Sequence, residues 1–180
     1  MPEVLISALL IRQGVIFIFE LTYGNLALDQ DLQIVQADVL LKIDDEIVID
    51  EALCIDVGLA ALVQSCLKTF RPNRWAEEKE WEKIPFFVCG CGDADCRAYS
   101  FIVEHISPDE IKLYEIEERM NQDDRVYQSW TINKREYVEA VLDVAQQFLT
   151  FIGPLDYRPL FQERLFILKE LVDQVYHSKN

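Results

Sequence analysis

A chain of 180 residues with 51% apolar side chains and only six glycines and six prolines has the volume for one packed core and little of the composition of a disordered segment. Its 32 acidic against 17 basic residues leave a formal charge of −15, which argues against a surface built to neutralise nucleic-acid phosphates or to lie on an anionic membrane. An acidic field of this kind keeps a protein soluble, and it also draws in basic partners.

The apolar run at residues 4–11 follows no cationic stretch and is broken by Arg12, so no signal peptide is expected. No stretch reaches the roughly 20 apolar residues of a membrane helix, and the reading is a soluble, cytoplasmic protein. Its five cysteines, an odd number, then read as thiols and not as a disulfide framework.

Strands are predicted near 3–12, 14–22, 32–43 and 46–50, where Val, Ile, Leu and Phe are punctuated by short polar pieces. Gly14, Tyr23-Gly24-Asn25 and Asp44-Asp45 supply the turns of an N-terminal antiparallel meander. From Asp56 the spacing of Val57, Leu59, Ala60, Leu62, Val63, Cys66 and Leu67 becomes helical, with Asp56 as cap, and a helix is predicted over 56–70. Arg71-Pro72-Asn73 ends it. Residues 75–83 form a short helix or a covering loop. Residues 84–106 form a β-hairpin whose polar tip is Gly92-Asp93-Ala94-Asp95. Further strands follow at 111–116 and 125–132. Asn133 caps a helix carrying Tyr137, Val141, Val144, Phe148 and Phe151 on one face, and Gly153-Pro154 stops it. A last helix runs from about Pro159 to Tyr176. Runs of strands followed by helices give a single α+β domain over 1–180. Its antiparallel sheet has an N-terminal meander and a Cys-rich hairpin, packed by a central helix and two C-terminal helices.

The hairpin is where chemistry concentrates. Cys89 and Cys91, two apart on a strand, project to one face, and the turn returns Cys96 beside them. Zinc wants four ligands, and the fourth would come from Cys54, Cys66 or His105. A small, buried, apolar role for the cysteines and reversible disulfide chemistry between Cys91 and Cys96 stand beside the metal reading. Gly90-Cys91-Gly92 lacks the third glycine and the helix of a dinucleotide fingerprint. Asp93-Ala94-Asp95 lacks the remaining ligands of a calcium loop. His105 and His177 lie in no nucleophile motif, and the acidic pairs Glu77-Glu78, Glu117-Glu118 and Asp123-Asp124 read as solvated charges. No catalytic machinery is visible. Trp75 and Trp81 among Glu77, Glu78, Glu80 and Glu82 are the residues assigned to partner recognition, since an aromatic inside a polar rim is a common interface anchor, although tryptophans that simply cover the core are more common still.

The run from Pro85 to Cys96, Pro-Phe-Phe-Val-Cys-Gly-Cys-Gly-Asp-Ala-Asp-Cys, resembles a hairpin of a bacterial family, some of whose relatives resemble toxin-immunity or accessory proteins. The likeness covers roughly residues 45–150, and Arg97 stands where such hairpins carry a small residue. It implies a stoichiometric, non-enzymatic binding protein whose acidic surface occludes a basic partner protein. A thiol-redox or zinc-clip protein is the second reading and an unrecognised hydrolase the third. Zinc is the one cofactor the sequence suggests, and a homodimer stays open.

Overall fold

The computed structural model describes residues 16–159 and 161–179; the strand expected at 3–12 and the turn at Gly14 lie outside them. Strands β1 (Phe19–Asp29), β2 (Ile34–Ile43) and β3 (Glu46–Cys54) form the expected meander. Alternation decides which face is inside: Phe19, Leu21 and Tyr23 of β1 and Val35, Ala37, Val39, Leu41 and Ile43 of β2 are all buried. Asp44, at φ 52°, makes the turn into β3.

The Tyr23-Gly24-Asn25 triplet does not turn the chain. β1 runs through it with a register shift between Gly24 and Ala27, and Asn25 sits at φ 47°. Residues that tolerate positive φ serve a bulge as readily as a turn. The reversal comes at residues 30–33 instead. There the Asp29 carboxylate accepts the amides of Asp31 and Leu32 at 3.0 and 2.9 Å, an Asx-type closure. β3 also continues to Cys54, beyond the expected end at residue 50.

Helix α1 (Asp56–Gln64) is shorter than the 56–70 predicted. Ser65 ends it, its hydroxyl bonded to the Leu62 carbonyl and the Tyr137 hydroxyl, both at 2.6 Å. Farther on, Phe70 exchanges two backbone hydrogen bonds with Val103, at 2.8 and 3.0 Å, so the end of the expected helix is extended chain. Asp56 is not the cap, because Ile55 holds that position. Its carboxylate instead accepts the Val35 amide at 3.1 Å. Gly58 explains how α1 lies so near the hairpin: a Cβ there would stand 2.3 Å from the Pro85 carbonyl oxygen and 2.5 Å from that of Phe86.

A 3-10 segment, Glu78–Lys83, packs against α1 and precedes β4 (Phe87–Val88), β5 (Ala98–His105), β6 (Glu110–Glu117) and β7 (Arg125–Asn133). The seven strands make one antiparallel sheet in chain order. The sheet curls far enough for the Phe17 amide to reach the Thr131 carbonyl at 2.9 Å, bridging Phe17 to Ile132 of β7.

Asn133 caps α2 (Lys134–Ile152) as predicted, accepting the amides of Arg135 and Glu136. α3 (Gln162–Ser178) starts at Gln162, later than Pro159. α2 lays Tyr137, Val141, Val144 and Phe148 into the core, where Tyr137 meets Phe19 with ring centroids 5.0 Å apart. α3 adds Leu168, Leu171, Val172 and Val175. Among the described residues the architecture is thus α+β, a seven-stranded antiparallel sheet packed with three helices. No helix among them is long and apolar enough to cross a membrane.

Candidate metal centre

The hairpin between β4 and β5 holds the three thiols, though not by strand alternation. Pairing ends at Val88 and Ala98, and one further hydrogen bond joins the Cys89 amide to the Arg97 carbonyl at 2.7 Å. Beyond it the chain makes two turns. The Gly92 amide bonds the Cys89 carbonyl at 2.8 Å, and the Cys96 amide bonds the Asp93 carbonyl at 3.1 Å. Gly92 stands at φ +78°, where a side chain would be strained. The turns gather Cys89, Cys91 and Cys96 until their sulfurs all lie within 4.8 Å of one another. Cys89 is half-buried, whereas Cys91 and Cys96 are exposed.

Three elements pin this loop from outside. Gln36 of β2 donates to the Gly90 carbonyl at 2.6 Å. Arg74 grips the Ala94 carbonyl through Nε at 3.2 Å and Nη2 at 2.7 Å. Arg97 pairs with Glu51 of β3 and donates to the Tyr99 hydroxyl at 2.8 Å. Glu118 holds the Arg74 loop in turn: it accepts the Arg74 amide at 2.8 Å and the Ser100 hydroxyl. It is only 8% exposed, so Glu118 is not the solvated charge its neighbourhood suggests. A thiol cluster held by side chains from several elements is largely pre-formed.

Acidity is unequal across the cluster. The Cys91 amide, the Cys91 and Cys96 thiols and nearby Arg97 draw the Cys89 thiol below its ordinary range. Cys96, bonded to the other two and facing their negative charge, is pushed up to about 11. Of these two thiols Cys89 gives up its proton more readily, and a metal ion taking all three sulfurs would have to displace the proton held on Cys96. Thiolates 2.3 Å from a tetrahedral zinc stand about 3.8 Å apart, so modest rotamer changes close the three sulfurs on an ion.

None of the three residues expected to complete the set joins it. Cys54 is buried and donates to Asp56 Oδ1 at 3.0 Å, its sulfur just behind Gly92. Cys66 is buried in the core, with desolvation pushing its thiol up to about 12. His105 bonds the Ser65 carbonyl through Nε2 at 2.8 Å. The three sulfurs thus form the group by themselves among the described residues, and a tetrahedral ion would keep a fourth position open.

Of the residues assigned to partner recognition, Trp75 follows Arg74, which holds the hairpin at Ala94. Trp75 is 39% exposed, while Trp81 packs against the core. Glu77 and Glu80 form a capping box at the start of the 3-10 segment, and they pair with Lys79 and Lys83, each at 2.6 Å. Glu82 is exposed, and the side chain of Glu78 lies outside the described part of the structure.

Sequence reasoning missed a cavity of about 590 Å³ bounded by Trp75, the hairpin tip, α1 and the first turns of α3. Its inner wall carries Asp56, which accepts the Tyr157 hydroxyl at 2.6 Å in addition to Val35 and Cys54. Burial holds the Asp56 carboxyl above its ordinary range, against the lowering effect of those three hydrogen bonds. A helical reading of 56–70 flags Asp56 only as a cap, and Tyr157 lies too far along the chain for any local pattern to join them. Comparison with family models, with curated proteins and with solved structures found no match. The site has to be read from its own chemistry.

Proposed function

We propose that the protein is a non-enzymatic binding module whose hairpin takes one thiophilic metal ion, zinc foremost, on Cys89, Cys91 and Cys96. The convergence of three thiols carries this reading. Soft thiolate donors select zinc or Cu(I) over magnesium and calcium. The bound ion would lock the two turns that Gly92 and Asp93 make, and would hold a rigid tip beside Trp75. With three protein donors, its fourth ligand is a water or a donor from a partner.

The test combines a native mass spectrum of freshly reduced protein with a Co(II) titration. One equivalent should bind with the intense near-ultraviolet absorption of thiolate-to-cobalt charge transfer. Cys89→Ser, Cys91→Ser and Cys96→Ser should each abolish that band, and Cys66→Ser should leave it unchanged. Binding should tighten as pH rises, because the thiols must shed protons and Cys96 holds its own up to about 11. A bare mass after metal exposure, with no charge-transfer band, defeats the metal reading. Loss of two hydrogens on exposure to oxidised glutathione, without metal, would make the hairpin a disulfide pair.

A second reading concerns the partner. Trp75 is exposed at the edge of the cavity while Trp81 is packed away, which favours Trp75 as the anchor of a basic protein drawn by the acidic field. Trp75→Ala and charge reversal at Glu77, Glu78, Glu80 and Glu82 should weaken capture of such a partner. Unchanged affinity in both variants removes this surface.

A further inference from the structure

The cavity beside the hairpin has the features of a small-molecule site. Its volume, about 590 Å³, falls within the range of ligand pockets. One wall is apolar, from Val57 and Ala60 of α1 through Phe148 of α2 to Leu165 and Leu168 of α3. Polar and charged side chains, Gln33, Asp56, Arg74, Asp93, Asp95, Tyr157 and Arg164 among them, line the rest. One of them is Asp56, and its three hydrogen-bond partners, the Val35 amide, the Tyr157 hydroxyl and the Cys54 thiol, are all uncharged. A carboxylate taken out of water without a counter-charge is costly, and a cation placed beside it recovers much of that cost.

Other charges at the cavity are already directed elsewhere. Arg74 turns Nε and Nη2 onto the Ala94 carbonyl, and the Arg164 guanidinium lies over the Phe161 ring at 4.7 Å. Asp93 and Asp95 add negative charge at the outer lip. Asp56 forms no ion pair among the described residues, so the inner wall presents a carboxylate framed by hydrogen bonds and flanked by hydrocarbon. Tyr157, edge-on to Phe148 with ring centroids 6.1 Å apart, fixes that carboxylate from the side.

We infer that this cavity binds a small amphipathic amine, its ammonium group on Asp56 and its aryl or alkyl body along Val57, Ala60, Phe148, Leu165 and Leu168. The site is separate from the trithiol cluster, although Cys91 and Gly92 border both. Because Cys91 is shared with the cluster, the measurement is made on metal-free and zinc-loaded protein alike.

Three ligands with one body and different heads test the charge: 4-phenylbutylamine, 4-phenylbutanol and 4-phenylbutyrate, titrated into the full chain with amide and indole NMR shifts as readout. The amine should bind at least tenfold more tightly than the alcohol, and the carboxylate more weakly still, with shifts centred on Ala60, Trp75 and Leu165. Asp56→Asn should bring amine and alcohol to equal affinity while leaving alcohol binding in place. The ligand series in the wild-type protein decides the matter even if that variant fails to fold. Equal affinities for amine and alcohol, preference for the carboxylate, or shifts outside the cavity would each overturn the inference.

Discussion

Glu118 shows how far a single carboxyl can depart from what its neighbours suggest. Flanked by Glu117 and followed by a polar loop, it reads as a surface charge, yet it is buried between Ser100 and the Arg74 amide. Burial raises its pKa, and the two hydrogen bonds lower it by less. The folded chain therefore holds this proton more tightly than the unfolded chain does. The stability it contributes is complete below the unfolded value of 4.5 and is lost as pH rises through the higher folded value. Glu118→Gln should remove that part of the decline, so its urea midpoints between mildly acid and neutral pH should fall less steeply than wild type. Parallel curves would mean that the carboxyl is titrating as in water. Asp56 shifts in the same direction for the same reason. Neither could be identified from sequence, because burial of an acid depends on residues far along the chain: Ser100 and Arg74 for one, Tyr157 for the other.

At the scale of elements, local signals held in some places and failed in others: the helical spacing from Asp56 ran past the end of α1, and Asp56 did not cap it. The alternation of β6, the Asp44 turn and the Asn133 cap of α2 all follow from local side-chain chemistry and stand where it puts them. Where local chemistry permits two outcomes, tertiary contacts chose. Asn25 became a bulge, Asp29 made the turn, and Ser65 ended α1 by bonding Tyr137. The hairpin was legible as a hairpin, and its cysteines as neighbours. What sequence could not show was that turns and not strand alternation bring the sulfurs together, or that Cys54, Cys66 and His105 are engaged elsewhere. Gly58 belongs to this scale as well. Nothing in the pattern of α1 demands glycine, but the backbone at Pro85 and Phe86 leaves no room for a methyl group. Gly58→Ala should cost at least about 2 kcal/mol by forcing α1 away from the hairpin base, measured by chemical denaturation. A change below about 0.5 kcal/mol, the ordinary range of surface substitutions, would mean that helix and hairpin part without resistance.

Across the molecule as a whole, charge sets the response to solvent. A formal −15 on 180 residues opposes compaction through self-repulsion, and mobile ions screen it over about 10 Å at 0.1 M. Thermal midpoints should therefore rise with sodium chloride from low to moderate ionic strength. A flat or falling series would show that the surface ion pairs, such as Lys42–Glu20 and Arg135–Glu139, outweigh the repulsion. The same field bears on both proposed ligands, since it favours the approach of a metal cation and of an ammonium group while the thiols and Asp56 supply the discrimination.

The bridge from Phe17 to β7 carries a consequence of another kind. A seven-stranded open sheet ordinarily leaves two rims of unsatisfied amides and carbonyls, each a template on which a second copy can nucleate a fibril. Here the lead-in to β1 reaches across to β7 and occupies part of its rim, with the Phe17 amide on the Thr131 carbonyl. Stripping that lead-in would leave the Thr131 carbonyl without its amide partner and lengthen the stretch of β7 rim open to another strand.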